Sequence, residues 1–152
     1  MALRVKVRIE GADEVIHALD KLPADARRAM REQAKDIATS LADFIKIAGR
    51  RQGRQAPRAA STVREGNQGF WPVITASNTG RAKGLLFGSE FGMTRKSGWY
   101  RHRRYFDSPG VQFRPHLGRG SYWFFKTATE RQPWIQSEWG KAAEQVVREW
   151  SA

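Results

Sequence analysis

With no cysteine in the chain, three histidines and fifteen Asp/Glu carboxylates are the side chains from which a metal site could be built. That absence removes thiolate nucleophiles, thiolate metal ligands and a disulfide framework together. His17 falls on the wet side of a helical pattern set by Val15, Ile16 and Leu19 and reads as a solvated group. His102 and His116 lie in a strongly basic span, and neither has a second histidine at metal-ligand spacing. The arginines around them oppose a bound cation, so no metal site is expected. Glu90 and Asp107 are the best-placed carboxylates in that span. Acid–base work would need both at one substrate; the expectation is instead that Glu90 pairs with an arginine, of its own chain or of a neighbouring copy. Gly88-Ser89-Glu90-Phe91-Gly92 lacks the spacing of a nucleophile elbow, and Gly118-Arg119-Gly120 lacks the third glycine of a dinucleotide loop. No catalytic residue, cofactor or small-molecule substrate is expected, and a nuclease is disfavoured by the lack of a carboxylate–histidine cluster.

Charge is where the sequence departs most from an ordinary domain. The net charge is +12, split as +1 over residues 1–49, +11 over 50–119 and 0 over 120–152. Two balanced ends therefore flank a cationic middle, and twelve of its fourteen cations are arginine. Arginine suits planar, multi-donor contacts with carboxylates or phosphates. Within Trp99-Tyr100-Arg101-His102-Arg103-Arg104-Tyr105-Phe106, aromatic pairs alternate with cations. Such a mixture can stack on bases and neutralise phosphates, or form the centre of a protein interface. Protein contact is preferred, because no helix-turn-helix, zinc-finger or ribonucleoprotein motif is present. The expected partner-binding residues are Arg50, Arg51, Arg54 and Arg58, with Arg95, Lys96, Trp99, Tyr100, Arg101, Arg103, Arg104 and Tyr105.

The elements that must position these groups are legible from periodicity. Leu3, Val5, Val7 and Ile9 alternate with charged residues and predict a half-buried strand, ended by Gly11. Val15, Ile16, Leu19 and Leu22 predict a short helix, and Pro23 opens a second. Met30, Ala34, Ile37, Leu41, Phe44 and Ala48 then draw one apolar stripe along a long helix that Gly49 would stop. Residues 49–69 lose all periodicity and read as a long basic loop. Phe70 to Thr75 predict a strand, placed at a sheet edge by Pro72, and Gly84 to Phe87 a returning partner. Residues 92–120 form a second long basic loop, and helices resume from Ser121, with Pro133 marking a break or the first turn of the last helix. Trp123, Phe125, Trp139 and Trp150 would pack on the sheet, or in part against a neighbouring subunit.

One α+β domain over residues 1–152 is the result: a small, mainly antiparallel sheet on a long helix, with C-terminal helices and the loops 49–69 and 92–120. No run approaches the roughly 18 apolar residues of a membrane span. The N-terminal alternation is unlike a signal peptide. A cytosolic protein, or a particle assembled in the cytosol, is expected.

Several segments together resemble the tail-component (tail-completion) family of long-tailed bacteriophages. They are Gly11-Ala12-Asp13-Glu14, Leu19-Asp20-Lys21-Leu22-Pro23 before a long Ala/Arg-rich helix, Phe87-Gly88-Ser89-Glu90-Phe91-Gly92, and Phe113-Arg114-Pro115-His116. The layout covers most of the chain; the stretch 93–112 and Gly120 to Phe125 depart from the common pattern. The resemblance implies a non-enzymatic structural virion protein of the head–tail junction, acting as tail completion, tail terminator or neck component. It would form a homo-oligomeric ring, hexameric in this family, between the tail-tube protein and the head connector or stopper, with transient contact to passing genome DNA. Glu90, Phe91, Trp123, Phe124 and Trp139 are then assigned to subunit packing. The alternative is a sequence-nonspecific DNA- or RNA-binding protein that uses the basic middle.

Overall fold

The computed structural model describes residues 2–80, 84–94, 97–98, 113–116 and 118–151. It is an α+β fold. Strand β1 (Ala2–Lys6) leads to helix α1 (Ala12–Asp20) and the long helix α2 (Ala24–Gln52). A short α3 (Ala56–Ala60) precedes the hairpin β2 (Arg64–Gln68) and β3 (Trp71–Ser77). Then come α4 (Leu86–Phe91), the two-residue strands β4 (Met93–Thr94) and β5 (Ser97–Gly98), α5 (Phe124–Glu130) and α6 (Gln132–Trp150). β1, β3 and β2 form one antiparallel sheet in that order, and β4 pairs with β5. The sheet lies against α2, which also carries α3, α5 and α6.

The N-terminal third follows its pattern. Leu3, Val7 and Ile9 are buried while Arg4, Lys6, Arg8 and Glu10 are exposed, although ladder pairing stops at Lys6. On α2, Met30, Ala34, Ile37 and Leu41 are buried as the stripe predicts. From there the buried row continues through Ile45 and Gly49, leaving Phe44 and Ala48 half-exposed beside it. A straight helix of 3.6 residues per turn carries the row to i+4 at this point.

Gly49 does not stop the helix, which continues for three further residues to Gln52. What Gly49 provides is closeness: a Cβ there would sit 2.6 Å from the Ala60 Cβ and 2.9 Å from the Trp123 ring. Residues 49–69 are accordingly no loop. Small side chains (Ala56, Ala59, Ala60) let α3 pack flat on α2, and buried Val63 leads into β2. The signal overlooked was the turn: Gly69, at φ 59, opens the two-residue connection Gly69-Phe70, and a positive φ at that first position matches the twist of a hairpin.

Two further expectations are corrected. β3 is the central strand rather than an edge. Pro72 is tolerated there because its carbonyl, and hence its ring nitrogen, faces the margin where β1 ends, accepting the Val7 N–H at 3.0 Å. Gly84 to Phe87 do not return as a strand. Leu86 begins α4, whose Leu86, Phe87, Gly88, Ser89 and Glu90 are all buried. A short continuous apolar run does not separate a buried strand from a buried helix. Pro133 does sit in the first turn of α6, as predicted.

Gly49→Ala is expected to destabilise the chain by about 1–3 kcal/mol through overpacking, although alanine is the better helix former. Gly140→Ala, where a Cβ meets nothing within 4 Å, should stabilise it by about 0.5–1 kcal/mol. Chemical denaturation of the two variants checks both signs.

Candidate functional site

Glu90, the carboxylate most available for chemistry on sequence grounds, is completely buried. Its Oε2 accepts the backbone N–H groups of Phe124 (2.7 Å) and Trp123 (3.3 Å), and its Oε1 accepts that of Phe125 (3.0 Å) and the Ser121 hydroxyl. Ser121 Oγ accepts the Lys126 N–H in turn (2.9 Å). The first amides of a helix have no intrahelical partner and carry partial positive charge. Glu90 therefore caps α5 from another element, where the residue at the cap position, Trp123, provides no side-chain bond of its own. Among the described residues no arginine reaches this carboxylate. Burial pushes its pKa above the ordinary glutamate value, against the opposing pull of Ser121 and the three amides.

The segments around Glu90 interlock. The Tyr122 N–H donates to the Glu90 carbonyl (2.8 Å), and the Met93 N–H to that of Arg114 (2.8 Å). His116 Nδ1 lies 3.0 Å from the Phe91 carbonyl, and the Tyr122 hydroxyl donates to the Pro115 carbonyl (2.6 Å). A Cβ at Gly88 would sit 2.7 Å from the Phe113 ring. Gly92 has φ 73, and a Cβ there would collide with the Pro115 carbonyl. Phe91 stacks on Phe87 and Phe125, with centroids 6.5 and 6.1 Å apart. Residues 87–92 and 113–116, far apart in the sequence, thus form one packed unit under the start of α5.

This unit also takes up arginine. Arg54 donates to the Phe113 carbonyl (2.6 Å), and Arg114 to that of Gln52 (3.2 Å) at the C-terminal end of α2, where a cation suits the helix dipole. Arg64 donates to the carbonyls of Ser61 and Val63 (3.0 and 2.8 Å). Arg50, Arg51, Arg54 and Arg58 all lie at the surface. The other expected partner residues (Arg95, Lys96, Trp99, Tyr100, Arg101, Arg103, Arg104 and Tyr105) and the carboxylate Asp107 lie outside the described residues, as does His102. His17 is exposed, as its helical position predicts.

Of the residues assigned to subunit packing, Glu90, Trp123, Phe124 and Trp139 are buried within this chain itself, and Phe91 is half-buried in its stack on Phe87 and Phe125. Trp139 stacks on Trp71 (6.2 Å) and donates its indole N–H to the Phe70 carbonyl (2.8 Å). Among the described residues the large apolar side chains left most open are Ile47, 42 % exposed, and Trp150, 40 %.

Among the described residues two concave surfaces stand out. A hollow of about 310 Å³ between α2 and α5 has Phe44, Ile47 and Thr127 in its lining and the cations Arg51, Lys126 and Arg131 around them. The Arg131 guanidinium lies 3.9 Å from the centroid of the Phe44 ring, which meets Trp134 edge-on. A groove of about 560 Å³ between α1 and α6 is lined by Val15, Ala18, Trp139, Gly140, Ala143 and Val147, with Glu14, Glu144 and Arg148 also on its wall. Sequence reasoning missed this groove. Its signal was the pair of small-residue rows, Val15/Ala18 and Gly140/Ala143/Val147, at helical spacing on two elements. Among the described residues no group of three His, Asp or Glu lies close enough to hold a metal ion, and no helix is long and apolar enough to cross a membrane.

In comparisons with protein-family models, curated proteins and solved structures, nothing matches this chain.

Glu90→Ala should cost about 2–4 kcal/mol, because it strands several buried donors. Glu90→Gln isolates the titration. A folded-state pKa above the unfolded one gives stability that is fully present below about pH 4.3 and lost as pH rises through the folded value. The melting temperature of the native chain relative to Glu90→Gln is therefore expected to be highest in acid and to fall towards neutrality. Thermal melts of both chains across that range measure it.

Proposed function

We propose that the chain is a structural, non-enzymatic protein of a phage head–tail junction, acting as a tail-completion or tail-terminator subunit. It would work as a ring, hexameric by the resemblance, between the tail-tube protein and the head connector, within a virion assembled in the host cytoplasm. The observation that carries this reading is the use made of Glu90. The best acid–base candidate has no solvent exposure and is committed to the start of α5. The segments that carry the family resemblance, Phe87 to Gly92 and Phe113 to His116, are interlocked around it, as a scaffold requires. The exposed features are of the kind that make contacts: surface arginines at Arg50, Arg51 and Arg58, and an apolar groove between two helices.

Protein contact is favoured over nucleic-acid binding because Arg54, Arg64 and Arg114 donate to the chain's own carbonyls. Light scattering on the purified chain, alone and with tail-tube protein, tests the proposal. Ring-sized particles in either sample are expected; a monomer in both contradicts it. Tight duplex-DNA binding whose log affinity falls with log salt at about −0.9 per phosphate contacted would favour the nucleic-acid reading instead.

A further inference from the structure

We propose that the α1/α6 groove is the receiving half of a head-to-tail contact between copies of this chain, and that the Ile47 edge of α2 is the inserting half. The inference deepens the ring reading and rests on it only in requiring that copies associate.

The groove floor is apolar, built from Val15, Ala18, Ala143 and Val147, and its wall carries Glu14 and Glu144 against the single cation Arg148. The complementary surface is on the same molecule. Ile47 is 42 % exposed; the exposed Arg50 and Arg51 stand three and four residues further along α2 on its side of the helix, and the exposed Asp43 four residues before it, which leaves the edge net positive. An apolar centre with a basic rim thus answers an apolar floor with an acidic rim, the arrangement of a specific interface. A groove-on-groove pairing would bring together two walls that each carry two carboxylates and one cation, and the net like charge opposes it.

The edge and the groove share no residue, so one copy carries both halves. A contact between two different patches is heterologous; it closes into a ring when the rotation per subunit divides a full turn and otherwise runs on as a filament. This contact involves neither the Glu90 unit nor Trp123, and it meets Trp139 only where that ring lines the groove, so it leaves the fold as it stands.

Sedimentation velocity on single variants and on their mixture tests it. Ala18→Arg fills the groove with a long cationic side chain. Ile47→Asn removes the inserting side chain and adds no negative charge, so it creates no new attraction to the guanidinium of the groove variant. Both positions are exposed, so melting temperatures should stay within about 2 °C of the native chain's. The native chain should form concentration-dependent species larger than a dimer. Each variant should associate at least about tenfold more weakly. Mixed at a concentration where each alone is monomeric, the two should give a one-to-one dimer and nothing larger, since each supplies one live face. An Ala18→Arg chain that keeps the native size overturns the inference while leaving a ring built on other surfaces standing, and so does a mixture that stays monomeric. A native chain that is monomeric alone also overturns it; the ring reading is then decided separately by the mixture with tail-tube protein.

Discussion

The carboxylate of Glu90 is the constraint on which the second half of this chain depends. Helix α5 begins without a capping side chain of its own, directly after a run of bulky rings, and three of its first amides point into the protein. Left unmet, such buried donors would cost about 1–3 kcal/mol each. One side chain from α4 meets all three, and Ser121 closes the arrangement. Placing Glu90 there fixes α4, and α4 fixes what lies on either side. Gly88 leaves room for Phe113, and Gly92 turns in left-handed backbone against Pro115. The motif Phe87 to Gly92 is thereby accounted for as architecture almost residue by residue.

That commitment divides the molecule's polar groups into two sets. Arg54 and Arg114 link the end of α2 to residues 113–114, so part of the cationic middle is mortar between segments. Arg50, Arg51 and Arg58 remain outside. The apolar surface divides likewise: Trp123 and Trp139 are inside, while Ile47, Trp150 and the α1/α6 groove stay open. Exposed arginines, an exposed isoleucine and an apolar cleft are the surfaces on which the proposed assembly would draw.

Much of the fold was legible because it rests on period. β1, α1, α2 and α6 bury one face each, and alternation or helical spacing reveals that face directly. The parts that were not legible rest on single close approaches. Gly49 reads as a helix stop until Ala60 and Trp123 are seen against it, and Pro72 reads as an edge residue until β1 is seen to end beside it. The site was legible as a choice of residues and not as a role. Glu90 stood out as a carboxylate among arginines, but a partner made of backbone amides leaves no trace in residue types. The groove was hidden for the opposite reason, since it is made of small side chains that no chemical motif selects.

The most direct test of this account is native-state hydrogen exchange at the amides of Trp123, Phe124 and Phe125. Helix-start amides normally exchange quickly, having no intrahelical acceptor. If Glu90 holds the molecule together as described, these three should exchange only on global unfolding, as slowly as the core amides of α2. Exchange at the rate of an exposed, frayed helix end would contradict the account at its centre.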